Sequence, residues 1–239
     1  MTELTNAAAI ASWSAMPHRA LAAFDPEGDF GRRTMLNPAI FRLLGDIGGA
    51  RVLDAGCGQG YLCRLLADRG ASVVGVEPAQ ALYDYAVAKE HQRRQGIHYV
   101  QADLAQLPDL GETFDAVVAN VVFEAIPQWV PAMRNCIQAL RPGGCWCSPW
   151  SIPALRTPRR SWRESECVQV QEYLREYERP GPYGVDIHRP LSTYLNTMIG
   201  LGCCLTELAE PGLDPLLASE DTQAAVHVPN FVIVAARRA

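Results

Sequence analysis

The 239-residue sequence predicts a doubly wound α/β sheet, and three observations carry that expectation. Short apolar runs alternate with stretches of helical periodicity from residue 51 to 149, as in parallel sheets covered by helices. Glycine or proline closes most of these runs. The first run leads into "VLDAGCGQG", residues 52–60, in which Asp54 is followed by Gly56, Gly58 and Gly60 at every second position.

The elements follow in order. Arg51 to Ala55 is the first expected strand; Tyr61 to Asp68 sets Leu62, Leu65 and Leu66 on one helical face before Gly70. Ser72 to Glu77 is a second strand closed by Pro78, and Ala79 to Arg94 a second helix ended by Gly96. Ile97 to Ala102 and Asp115 to Ala119 are the third and fourth strands, the latter a continuous apolar run suited to a buried parallel sheet. A helix over 127–140 stops at Pro142-Gly143-Gly144, and Cys145 to Pro149 is the fifth strand. The alternation then breaks over 151–190, where Cys167, Val170, Leu174 and Tyr177 at 3, 4, 3 spacing predict an amphipathic helix within an insertion that covers the sheet's functional edge. A helix from Leu191 to Leu201 and strands at Leu205–Leu208 and Asn230–Ala235 complete the sheet. Residues 46–239 form one domain on this reading, preceded by a helical cap over 1–45 in which Ala8–Met16 and Arg33–Leu44 are helices.

Composition excludes several functions. A net charge of -5 and scattered basic pairs give no footprint for nucleic acid. No apolar window spans a bilayer and the N-terminus lacks a signal-peptide pattern, so the expected location is the cytoplasm. The eight cysteines lack zinc-site spacing, so most are expected to be small buried hydrophobes, with no metal.

The glycine loop asks for a ligand that lies against the main chain. The dinucleotide fingerprint G-x-G-x-x-G would need a glycine at 61, where the chain has Tyr61. Glu77, ending the second strand, suits the two hydroxyls of a ribose, and Asp103, after the third, suits an exocyclic amine of adenine. With Asp54 they make an acidic pocket, hostile to pyrophosphate but fitting a nucleoside that carries a sulfonium and an ammonium group.

These residues resemble a class I S-adenosylmethionine-dependent methyltransferase with a UbiE-like (methyltransferase type 11) core. The matching stretches are VLDAGCGQG (52–60), VVGVEPA (73–79), QADLAQLP (101–108), FDAVVANVVFEAIP (114–127) and LRPGG (140–144). The resemblance implies a Rossmann-like, mostly parallel seven-stranded sheet with its last strand antiparallel. It implies that Asp54, Gly56, Cys57, Gly58 and Gly60 shape the methionine side of the pocket, that Glu77 and Pro78 hold the ribose, and that Asp103 and Leu104 hold the adenine. Asn120 would offer main-chain groups to the amino-acid end, and Trp13 or Arg33 of the cap would reach the carboxylate. S-adenosylmethionine is then the cofactor and S-adenosylhomocysteine the product.

Methyl transfer needs alignment first and a base only when the acceptor must lose a proton. Candidates are His188, just before the helix begun by Pro190, and Glu124, four residues past Asn120; His18 is weaker. Trp146, Trp150, Trp162, Tyr173, Tyr177 and Tyr183 predict an aromatic-lined acceptor pocket. The expected partner is a small organic acceptor, methylated at oxygen, nitrogen or carbon by a monomer or homodimer. The alternatives are a protein acceptor and a cofactor-binding protein without catalysis. A nicotinamide-dependent oxidoreductase is disfavoured by the glycine spacing and the acids.

Overall fold

In the computed structural model, which describes residues 4–151, 159–168, 170 and 172–239, the sheet grows outward from the strand before the glycine loop. β1 (Arg51–Ala55) pairs in parallel with β2 (Ser72–Val76) on one side and β4 (Phe114–Val118) on the other. β3 (His98–Val100) extends the β2 side, and β5 (Leu140–Ser151) the β4 side. β1, β2 and β4 are largely apolar and mostly buried because helices cover both sheet faces.

Those helices are α4 (Tyr61–Ala67), α5 (Gln80–Gln92) and α6 (Trp129–Ala139), each within a few residues of its sequence expectation. β5 is longer than expected: it begins at Leu140 and carries the Pro142-Gly143-Gly144 segment, with a register shift opposite Phe114 to Ala116. Last in the chain, β9 (Phe231–Arg238) runs antiparallel between β5 and β8 (Cys203–Ala209), the edge strand after α8 (Leu191–Gly200). The strand order is β3-β2-β1-β4-β5-β9-β8, seven strands with only the last antiparallel to its neighbours.

The amphipathic helix expected through Cys167, Val170, Leu174 and Tyr177 is not formed. Leu174 is 85% exposed, Glu166 and Glu172 take left-handed backbone angles, and Tyr177 belongs to a strand. The insertion instead holds a short helix α7 (Arg159–Ser165) and a hairpin of β6 (Tyr177–Pro180) with β7 (Val185–His188). The rest of the expected covering segment, 152–158, 169 and 171, lies outside the described residues.

At the N-terminus α1 (Asn6–Ser14) and α2 (His18–Ala22) pack on α5. A π-helical turn, Arg32–Leu36, then runs into α3 (Asn37–Leu44). Asp25, between α2 and that turn, ties the cap down by accepting from Arg64 at 2.5 Å, Tyr85 at 2.6 Å and Lys89 at 2.9 Å. Burial alone would raise this carboxyl, but those bonds and charges hold it below its usual value.

Candidate active site

The chain order reverses between β1 and β4, and ligands of open α/β sheets bind beyond the carboxyl ends of the strands at such a point. Asp54 lies on β1, Glu77 directly past β2, Asp103 past β3 and Asn120 past β4. Parallel pairing brings these ends together, and all four line one cavity. The space within it is about 1120 Å³, open mouth included.

The loop closes tightly. Gly56 and Cys57 both donate to the carbonyl of Val76, while Glu77 accepts from Gly58 N–H at 2.9 Å and Ala79 N–H at 2.8 Å. Gly56 has φ +70°, and a methyl on it would stand 2.6 Å from Val122, so only glycine lets the segment after β4 approach. Asp54 is 1% exposed and accepts from the Cys63 thiol at 3.1 Å. Burial pushes Asp54 up to about 7 against the effect of that thiol. Glu77 is also pushed up to about 7 by burial, opposed by its two backbone donors and reinforced by Asp54. A cation close to either carboxyl would favour its ionised form.

Of the residues expected at the cofactor, Trp13, Asp54, Gly56, Cys57, Gly58, Glu77, Pro78, Asp103, Leu104 and Asn120 line the cavity. Gly60 does not line it: it precedes α4 at φ +81°, and a methyl there would meet Tyr99 Oη at 2.5 Å. Arg33 does not reach it either. The π-helical turn leaves Arg33 exposed and presents Arg32, which lines the cavity, bonds Asp29 at 2.6 Å and lies over Phe24.

Asn120 donates to Tyr61 Oη at 2.7 Å, and its own Oδ1 is buried without a partner among the described residues. Trp13 Nε1 is unpartnered in the same sense. The β6–β7 turn lies against this ring, where a methyl on Gly184 would be 2.7 Å from Trp13 Cε2. Sequence reasoning missed Asn6 and Arg32; the one signal available was helical spacing, which places Asn6, Ala9, Ile10 and Trp13 on one face.

The catalytic candidates stand apart from the cavity lining. Glu124 is 2% exposed, and its Oε1 accepts the backbone N–H and the hydroxyl of Ser151 at 2.8 and 2.9 Å. Oε2 has no partner among the described residues, and burial raises the carboxyl despite the Ser151 bonds. His188 is 1% exposed, packed between Tyr173 and Tyr177, with Nε2 2.8 Å from the Tyr173 carbonyl. A carbonyl only accepts, so Nε2 carries the hydrogen and a neutral ring keeps its lone pair on Nδ1, itself buried and unpartnered among the described residues. His18 is exposed against Tyr85.

The expected aromatic pocket is corrected as well. Trp146 stacks on Phe123, Trp150 on Tyr194 and Trp162 on His227, and none of them lines the cavity. Its aromatic lining is Trp13, Phe24 and Tyr61. Among the described residues no group of three His, Cys, Asp or Glu side chains is placed to hold a metal ion, and no helix is long and apolar enough to cross a membrane.

A sheet in this order, with Asp54 on β1, acids beyond the ends of β2 and β3 and a glycine loop between β1 and α4, is the class I methyltransferase fold. Residues 53–147 match the family described as Methyltransferase domain. A crystal structure of an S-adenosylmethionine-dependent methyltransferase from Mesorhizobium loti superposes with TM-score 0.72 at 27% identity, covering 84% of this chain and 96% of that one. One from Listeria monocytogenes shares the fold with TM-score 0.71 at 19% identity, over the same shares. The ubiquinone biosynthesis O-methyltransferase of Pseudomonas fluorescens (strain Pf0-1) is 32% identical over 143 residues, 57% of this chain and 60% of the relative. The match thus spans less than two thirds of that relative's length.

Proposed function

We propose that this chain transfers a methyl group from S-adenosylmethionine to an oxygen, nitrogen or carbon centre of a small organic molecule, an aromatic natural product or related metabolite. One observation carries the reading: Glu77 and Asp103, from separate strand ends, share a single cavity with the glycine loop.

The lining groups suit the cofactor group by group. Glu77 would take the ribose hydroxyls, Asp103 the adenine amine, Arg32 the methionine carboxylate, and the unpartnered Asn120 Oδ1 the ammonium group. When bound, the cofactor supplies a methyl group on a sulfonium, activated toward in-line displacement. The chain's own task is then alignment and exclusion of water, and holding reactants at near-attack distance supplies roughly 7–11 kcal/mol. Cap helix α1 and the β6–β7 turn meet at Trp13 and would close over the reactants.

Glu124 is the better candidate for receiving the acceptor's hydroxyl or amine, because one carboxyl oxygen is fixed by Ser151 and the other is left unpaired. His188 is the candidate base through Nδ1, held in the right tautomer by Tyr173. The Pseudomonas relative is an O-methyltransferase, which favours an oxygen centre here. Calorimetry with S-adenosylmethionine and S-adenosylhomocysteine tests the cofactor, and labelled methyl transfer to a panel of aromatic and indolic acceptors tests the reaction. Binding without transfer to any small molecule or protein would leave a cofactor-binding protein; no binding would overturn the reading.

A further inference from the structure

The first turn of α1 makes a contact that reaches across the cavity. Asn6 is 7% exposed and lies with Ala9, Ile10 and Trp13 along the cavity wall. Its Nδ2 donates to both oxygens of Asp103, at 3.2 Å to Oδ1 and 2.9 Å to Oδ2. Its Oδ1 accepts the backbone N–H of Gln128 at 2.8 Å. That second bond settles which end of the carboxamide donates, so the amide nitrogen faces the acid. The acid is held from its other side too, since Oδ1 accepts from Ala105 N–H at 2.9 Å.

A carboxylate offers about four acceptor sites, two on each oxygen. Asn6 and Ala105 fill both on Oδ1 and one on Oδ2. The carboxylate therefore cannot turn without breaking charge-assisted bonds, and a single site on Oδ2 is left over. We propose that Asn6 is a positioning residue that fixes Asp103 so this remaining site accepts the amine of a 6-aminopurine, making the cavity select adenine over a 6-oxopurine. The inference rests on the assignment of Asp103 to the base. Without Asn6 the carboxylate turns and hydrates, and recognition of the amine weakens more than binding of the rest of the nucleoside.

Calorimetry on the full chain with S-adenosylhomocysteine and S-inosylhomocysteine, whose base carries a carbonyl in place of the amine, tests this. The wild type should prefer the adenosyl compound. Asn6→Ala should weaken that compound about tenfold, the order of one hydrogen bond to a charged group, and change the inosyl compound far less. Thr5→Ala, which removes the α1 cap bond to Ala8 N–H but not the contact with Asp103, should leave the ratio of the two affinities unchanged. An unchanged ratio in Asn6→Ala, whether both affinities fall or neither does, overturns the proposal. Should that variant fail to fold, Asn6→Asp carries the same test, because it keeps an acceptor for Gln128 and sets a like charge against Asp103. A wild type that binds neither compound would instead overturn the cofactor assignment itself.

Discussion

Glu77 Oε2 accepts the backbone N–H of Gly58 at 2.9 Å, so the acid past β2 is tied to the middle of a loop 19 residues earlier. Its other oxygen accepts from Ala79 N–H, leaving one carboxylate to join the glycine loop and the start of α5. Glu77→Gln keeps the shape but turns one end into a donor facing an N–H. Affinity for S-adenosylhomocysteine should fall about tenfold or more by calorimetry. Glu77→Ala leaves two buried N–H groups unpaired, at about 1–3 kcal/mol each, so it should also melt earlier. Wild-type affinity in both variants would remove Glu77 from the binding site.

The two buried acids predict a pH dependence whose sign differs between the unliganded and bound protein. Asp54 and Glu77 are raised from ordinary values of 3.8 and 4.5 to about 7. Over that window the folded protein holds protons the unfolded chain has lost, so lowering pH from about 7 toward 4 adds stability through these groups. A bound cation favours the carboxylates and reverses the preference, so binding should release protons. Apparent cofactor affinity should rise with pH until about 7 and then level off. Calorimetry near about pH 6, in buffers of different ionisation enthalpy, should give heats that depend on the buffer. Buffer-independent heats would contradict the shifts.

Gly60 separates structure from binding. It does not line the cavity, yet a methyl there would stand 2.5 Å from Tyr99 Oη and 3.1 Å from Ala86 Cβ, on a left-handed backbone. Gly60→Ala should cost about 1–3 kcal/mol, combining the backbone penalty with overpacking. A ΔΔG of 1 kcal/mol shifts Tm by roughly 2–4 °C in a domain of this size, so a clear fall in a thermal scan is expected. An unchanged Tm would mean that Tyr99 yields without cost.

The strands were legible in the sequence because a parallel strand buried on both faces must be apolar throughout, as Val73, Val74 and Val76 or Val117 and Val118 are. The acids were legible because each sits at a strand end, where topology alone fixes its neighbours. What failed depended on contacts that local spacing does not encode. Leu174 and Tyr177 have helical spacing, but a stripe becomes a helix only when something buries it, and here Tyr177 pairs with His188 in a hairpin while Leu174 faces solvent. Arg33 heads the helix expected over 33–44, but the chain winds Arg32–Leu36 as a π-helical turn, which leaves Arg33 exposed and puts Arg32 on the cavity. Asn6 lies 97 residues from its partner Asp103, and no periodicity announces that bond.

Glu124 offers the sharpest division between support and chemistry. Its Oε1 is occupied by Ser151 while Oε2 is buried and unpaired among the described residues, and burial raises the carboxyl. An unpaired buried polar atom costs about 1–3 kcal/mol, which a substrate hydroxyl or amine would recover on binding. Glu124→Gln can keep its carbonyl oxygen on Ser151 and removes the ionisable group, so Tm near neutral pH should stay within a few degrees of wild type. Methyl transfer to whichever acceptor the panel identifies should fall about 10² to 10⁴-fold, the usual contribution of a positioned acid or base, with affinity for S-adenosylhomocysteine unchanged. Loss of stability with undiminished turnover would instead make Glu124 a brace for the end of β5. His188→Ala, read in the same assay, assigns the proton: a rate that falls about 10²-fold or more with affinity for S-adenosylhomocysteine unchanged makes His188 the base, and full activity leaves the step to Glu124.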